Sequence, residues 1–184
     1  QANYPLAVEN TPDASCYYTP EDIAAMAYLI EHVPRLNDVS ILIDTAHVDM
    51  KRQSLSVDEK ASEAVLERAD EQLRDQLLGP YKEYMRDNMD LSNNGSDIDV
   101  EPPAEASPWR PVFVTLSIVG GAHIQAIHLN DPRSDGLPNT DRPGAGLRWV
   151  LSYCDTHDIT VVLEPDDADH KSIAETLEGL PVVG

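Results

Sequence analysis

Positive charge is scarce in this chain: 13 Lys and Arg stand against 33 Asp and Glu, a formal net charge of −20 over 184 residues. A phosphate backbone is bound by Lys and Arg that displace its counterions, so direct nucleic-acid binding is not expected. Cysteine is scarce as well. Cys16 and Cys154 lie far apart without CxxC spacing, so a disulfide framework is excluded. Two unpaired thiols in a reducing compartment is the simpler reading, which points to the cytoplasm (a host cytoplasm or a virion if the source is viral). No apolar run approaches the roughly 18–20 residues of a membrane span. Aromatics make up 5% with a single Phe, so aliphatic side chains and Ala must fill any core.

What is present suits one folded unit. The length and the 41% hydrophobic content predict a single domain over 1–184 with a sizeable core. The acids favour Asp over Glu and the bases favour Arg over Lys, a bias that suits a high-salt or high-GC source and leaves DNA mimicry open. Residues 1–18, with Pro5 and Pro12, read as an irregular arm.

Thr19 then offers an N-cap, Pro20 a first helical residue, and Glu21 and Asp22 complement the helix dipole. Ile23, Met26, Ala27 and Ile30 follow at helical spacing, and Pro34 stops the helix. Val39 to Ile43 reads as a buried strand. A capping box at Ser56 and Glu59 opens a second helix, whose apolar stripe from Val57 to Leu78 faces the core or else an assembly partner or second copy.

From 90 to 111 the composition turns to Ser, Asn, Asp and Pro, which predicts a mobile acidic loop between a helical first half and a β-rich second half. Val112 to Val119 and Ala122 to Leu129 flank Gly120-Gly121 and predict a β-hairpin, with a bulge near Ala126. A Gly/Pro/Asp-rich loop leads to Gly144-Ala-Gly146, a helix runs to about Thr156, Ile159 to Leu163 is a second buried strand, and His170 to Leu180 a last helix. Strand, glycine loop, helix and strand make a βαβ crossover between parallel strands. The fold class expected is therefore α/β (α+β), a mixed central sheet with flanking helices.

Small residues at a helix start let backbone N–H groups face an anion, and the helix dipole favours a phosphate. The stretch from Arg142 through Gly144-Ala-Gly-Leu147 to Pro165 resembles the cofactor-binding half of the GCN5-related N-acetyltransferases (GNAT), in particular the small bacteriophage versions. The resemblance implies a GNAT-like fold and acetyl-CoA as co-substrate. Arg142, Gly144, Ala145, Gly146 and Leu147 would then lie at the pyrophosphate, and Leu129 beside the pantetheine arm. Arg133, Arg142 and Arg148 would supply the local positive charge. His128 and Glu164 are the candidates by position for the base that deprotonates an amine, and the acidic surface would attract a cationic amine substrate. Asp141 stands where the family has Gln or Arg, and no Tyr follows Tyr153 to act as the usual late acid.

Two other readings stand beside it. Asp44, His47 and Asp49 follow the first strand, where α/β proteins place ligands, and with His123, His128 and Asp131 they offer a His/carboxylate set for a metal-dependent hydrolase. Alternatively the chain is a structural or interaction protein, viral in origin, on an acetyltransferase-like scaffold. Asp166 to His170 lacks EF-hand spacing and is expected to cap the last helix.

Overall fold

Four strands in a computed structural model run parallel and lie side by side in chain order. The structure describes residues 6–11, 19–58, 60, 79–84, 97–134, 136–140, 143–163 and 170–180. The strands are β1 (Leu6–Glu9), β2 (Val39–Asp44), β3 (Ile124–His128) and β4 (Thr160–Val162). The helices are α1 (Pro20–His32), α2 (Arg110–Val119), α3 (Ala145–Thr156) and α4 (His170–Gly179), and residues 79–84 are also helical.

The expected start of α1 is found. The Thr19 hydroxyl accepts from the Asp22 amide at 3.1 Å, and the Asp22 carboxylate accepts from the Thr19 amide at 3.2 Å, a reciprocal capping box. Helices α1 and α2 pack together, as do α2 and α3, so the three form a row on one face of the sheet. Ile41, Ile43 and Ile127 are fully buried in the core with Val112, Leu116, Leu147 and Trp149.

The sequence-derived hairpin is corrected: Val112 to Val119 is helix α2, and the sheet is parallel rather than mixed among the described strands. Every residue from Pro111 to Val119 is buried, so the segment has no polar face to reveal a helical period. A largely apolar run with five β-branched residues then reads as a strand. Gly120 supplies a φ of +74° where α2 ends, and its amide donates to the Leu116 carbonyl at 2.9 Å. The bulge lies one residue from Ala126. Ile41 pairs with Ile124 and Leu42 with Ala126, leaving Gln125 as the extra residue.

The N-terminal arm is likewise corrected in part, since Leu6 to Glu9 pairs with Val39 to Leu42 as an edge strand. Of the acidic loop expected over 90–111, residues 97–109 form turns and irregular backbone, Arg110 and Pro111 belong to α2, and 90–96 lie outside the described residues. Most of the long helix expected over 57–78 lies outside the described residues. Within the described residues no helix is long and apolar enough to cross a membrane.

Candidate functional site

In a parallel sheet the carboxyl ends of all strands lie along one edge, and the side chains there that share a face can converge. Here Glu9 ends β1, Asp44 ends β2 and His128 ends β3. Asp44 and His128 are register partners on adjacent strands, so their side chains share a face of the sheet. The His128 Nδ1 lies 3.1 Å from the Glu9 Oε1. Glu9, Asp44 and His128 each bring one nitrogen or carboxylate oxygen into a group whose atoms all lie within 4.8 Å of one another.

Asp44 is 3% exposed and is held from several directions. Its Oδ1 accepts from the Ala46 amide at 2.7 Å, and both oxygens lie 3.3–3.4 Å from the Asn130 Nδ2. His47 Nδ1 is 3.4 Å from Oδ2. No Lys or Arg among the described residues pairs with Asp44 or Glu9; the nitrogens beside their carboxylates belong to the imidazoles of His47 and His128. A buried carboxylate in such surroundings depends on hydrogen-bond donors for its stability.

The strand ends themselves are tied by side chains that replace the sheet ladder. The Asn10 amide accepts from the Asp44 N–H at 2.7 Å and donates to the Asp44 carbonyl at 3.1 Å, joining β1 to β2. The Thr45 hydroxyl donates to the Asn130 carbonyl at 2.7 Å and accepts from the Asn130 N–H at 2.9 Å, joining the ends of β2 and β3. Backbone polar groups that leave a sheet in a buried place need such partners.

The residues expected to bind CoA lie on the same chain segments but fall into different settings. Gly144 is the N-cap of α3, and Gly144 and Ala145 are exposed there. Gly146 is buried, and a Cβ on it would overlap the Trp109 side chain, so close packing on Trp109 requires a glycine. Leu147 and Leu129 are buried in the core, and the Leu129 amide donates to the Val162 carbonyl at 2.8 Å, keeping β3 and β4 bonded there. Arg148 is exposed, with its guanidinium on the Pro143 carbonyl at 3.1 Å, and Arg133 is exposed as well. Arg142, Asp141 and Glu164 lie outside the described residues, as does the Asp166 to Asp169 cap.

Of the six residues considered for a metal set, the fold brings together Asp44, His47 and His128. Asp49 instead accepts from the Lys51 amide at 3.1 Å in a turn, and Asp131 accepts from the Arg133 amide at 2.8 Å in another. His123 precedes β3, at the opposite edge of the sheet, 3.6 Å from the Glu31 carboxylate. That edge also carries an open cleft of about 540 Å³ lined by Ile30, Glu31, Asp38, Ser40, His123 and Gln125. It gathers one imidazole and two separate acids without the convergence seen around Asp44.

Glu9, Asn10, Thr45 and Asn130 are the members that reading the sequence missed. A signal was present: Leu-Ala-Val-Glu9-Asn10, Ile-Leu-Ile-Asp44-Thr45 and Ala-Ile-His128-Leu-Asn130 each close an apolar run with polar residues. The groups with the largest pKa changes lie elsewhere. Burial pushes the Cys154 thiol up to about 12 and raises the Tyr153 phenol, whose hydroxyl donates to the Leu116 carbonyl of α2 at 3.1 Å. Comparison of the chain with protein-family models, with curated proteins and with solved structures gives no match.

Proposed function

We propose that the chain is a hydrolase whose active centre is the Glu9, Asp44 and His128 group at the carboxyl edge of the parallel sheet. The observation that carries this reading is the convergence of two carboxylates and one imidazole from three adjacent strands. Such a group activates water in one of two ways: it takes the water's proton, or it holds a metal ion that lowers the water's pKa. Asp44 is fixed by the Ala46 amide and the Asn130 side chain, so its geometry is set before substrate arrives. Glu9 orients the His128 ring through Nδ1. The net charge of −20 selects neutral or cationic substrates over phosphorylated ones.

Asp44→Asn and His128→Ala are expected to lower kcat/KM by at least about a hundredfold on neutral or cationic esters, amides or glycosides, the scale of a lost acid–base group. Wild-type protein that hydrolyses none of these classes, or variants as active as wild type, would overturn the reading.

A second reading keeps the GNAT-like acyl-CoA site and an amine acceptor. It is supported by Gly144 and Ala145, which open α3 with exposed backbone at the same edge of the sheet. Acetyl-CoA should then stabilise the protein saturably in a thermal-shift titration, since a ligand bound only by the native state raises stability. Replacing Arg133, Arg142 and Arg148 together by Ala should abolish that shift. A protein that answers to neither assay is a structural or interaction protein.

A further inference from the structure

Resting on the hydrolase reading, we infer that Glu9, Asp44 and His128 hold a divalent transition-metal ion, Zn²⁺ or Mn²⁺, with the Asn130 carboxamide as a fourth donor. Three features point the same way. The first is the donor set. Two carboxylates and an imidazole, with no thiolate and no ring of backbone carbonyls, match borderline ions rather than Ca²⁺ or a soft metal.

The second is charge. Asp44 is buried and Glu9 half-buried, they belong to one group, and no Lys or Arg among the described residues pairs with either. A dication placed between them supplies the positive charge that no described Lys or Arg provides. The third is Asn130. It is 2% exposed, its Nδ2 sits against the Asp44 carboxylate, and its Oδ1 has no hydrogen-bond partner among the described residues. A buried carboxamide oxygen without a partner is costly. An ion bound at Asp44 within reach of this oxygen would give it the missing partner while Nδ2 stays on the carboxylate.

The supporting residues are those expected around a metal centre. His47 and the Ala46 amide hold Asp44 from behind, and the Thr45 hydroxyl fixes the Asn130 backbone. Glu9 lies on an edge strand with its side chain 40% exposed, so it can move the short distance needed to close on an ion.

The test is calorimetric titration of the chelator-stripped full chain with Zn²⁺ and, separately, with Mn²⁺, in enough salt to screen the acidic surface. One saturable site per chain is expected, weakened at least about tenfold in Glu9→Gln and in His128→Ala, on the scale of a lost metal-site partner. The pair Glu31→Gln and His123→Ala, at the opposite edge of the sheet, should bind as wild type does. Because Asp44 also carries strand-end hydrogen bonds, Glu9→Gln is the decisive variant, with its fold checked by circular dichroism. Absence of a saturable site for either ion overturns the inference, as does equal affinity in Glu9→Gln and wild type. Hydrolysis that survives stripping but is lost in Asp44→Asn keeps the hydrolase reading and overturns the metal. One bound ion without hydrolysis of any substrate class keeps the metal and overturns the hydrolase reading.

Discussion

Asn130 shows how one side chain serves both architecture and chemistry. Its backbone N–H and C=O are both satisfied by the Thr45 hydroxyl, while its carboxamide faces Asp44. Thr45→Val keeps the shape but leaves two buried backbone groups without that partner, so unfolding by urea should show a loss of about 1–3 kcal/mol. The two glycines at the start of α3 separate in the same way. Gly146→Ala forces a methyl into Trp109 and should cost about 1–3 kcal/mol. Gly144→Ala meets open space and loses only the N-cap preference of Gly over Ala, so it should cost less, about 0.5–1 kcal/mol. Equal stability of the two variants in urea would show that α3 does not pack on Trp109 as described.

At the level of elements, α1 is the best-specified helix. Its capping box is local and should be worth about 1 kcal/mol, read as the stability lost by Thr19→Ala. Its first turn also carries a long-range tie. Glu21 is fully buried, accepts from both terminal nitrogens of Arg52, and accepts from the Asp58 amide at 2.8 Å. That clamp fastens the segment after β2 onto α1, and the same segment carries His47. Arg52→Ala leaves a buried carboxylate short of its cation and should destabilise by about 3–5 kcal/mol, measured by denaturant titration. A loss under about 1 kcal/mol would mean that the pair is solvated.

For the whole molecule the dominant quantities are charge and a buried thiol. Added salt screens the repulsion of −20 and should raise Tm, a trend that a neutral surface would not show. Cys154 ionises near 9.0 when unfolded but at about 12 in the core. Below pH 9 the thiol is neutral in both states and its contribution is fully present. Between pH 9 and 12 the unfolded state loses its proton first, so stability falls as pH rises. Tyr153 is shifted in the same direction and adds to the fall. Thermal melts from pH 8 to 11 should therefore drop less steeply in Cys154→Ala. The native thiol should also resist alkylation at neutral pH, because it is buried and protonated.

Local signals were legible wherever a rule acts within one turn or one strand. Thr19 to Asp22 announced α1, the β-branched runs announced β2 and β4, and the βαβ crossover after β3 followed from its glycine loop. Helix α2 was not legible, since burial on all sides removes the polar face that reveals a helical period. Glu9 was hidden for a different reason: a four-residue edge strand beside prolines carries too little pattern to stand out. The sequence by itself determined the acidic character, the α/β class, and the presence of Asp44 and His128 as polar ends of apolar runs. Only the tertiary structure decided that Glu9, 119 positions before His128, shares its site, because side-by-side parallel pairing puts residues remote in the chain at one edge of the sheet.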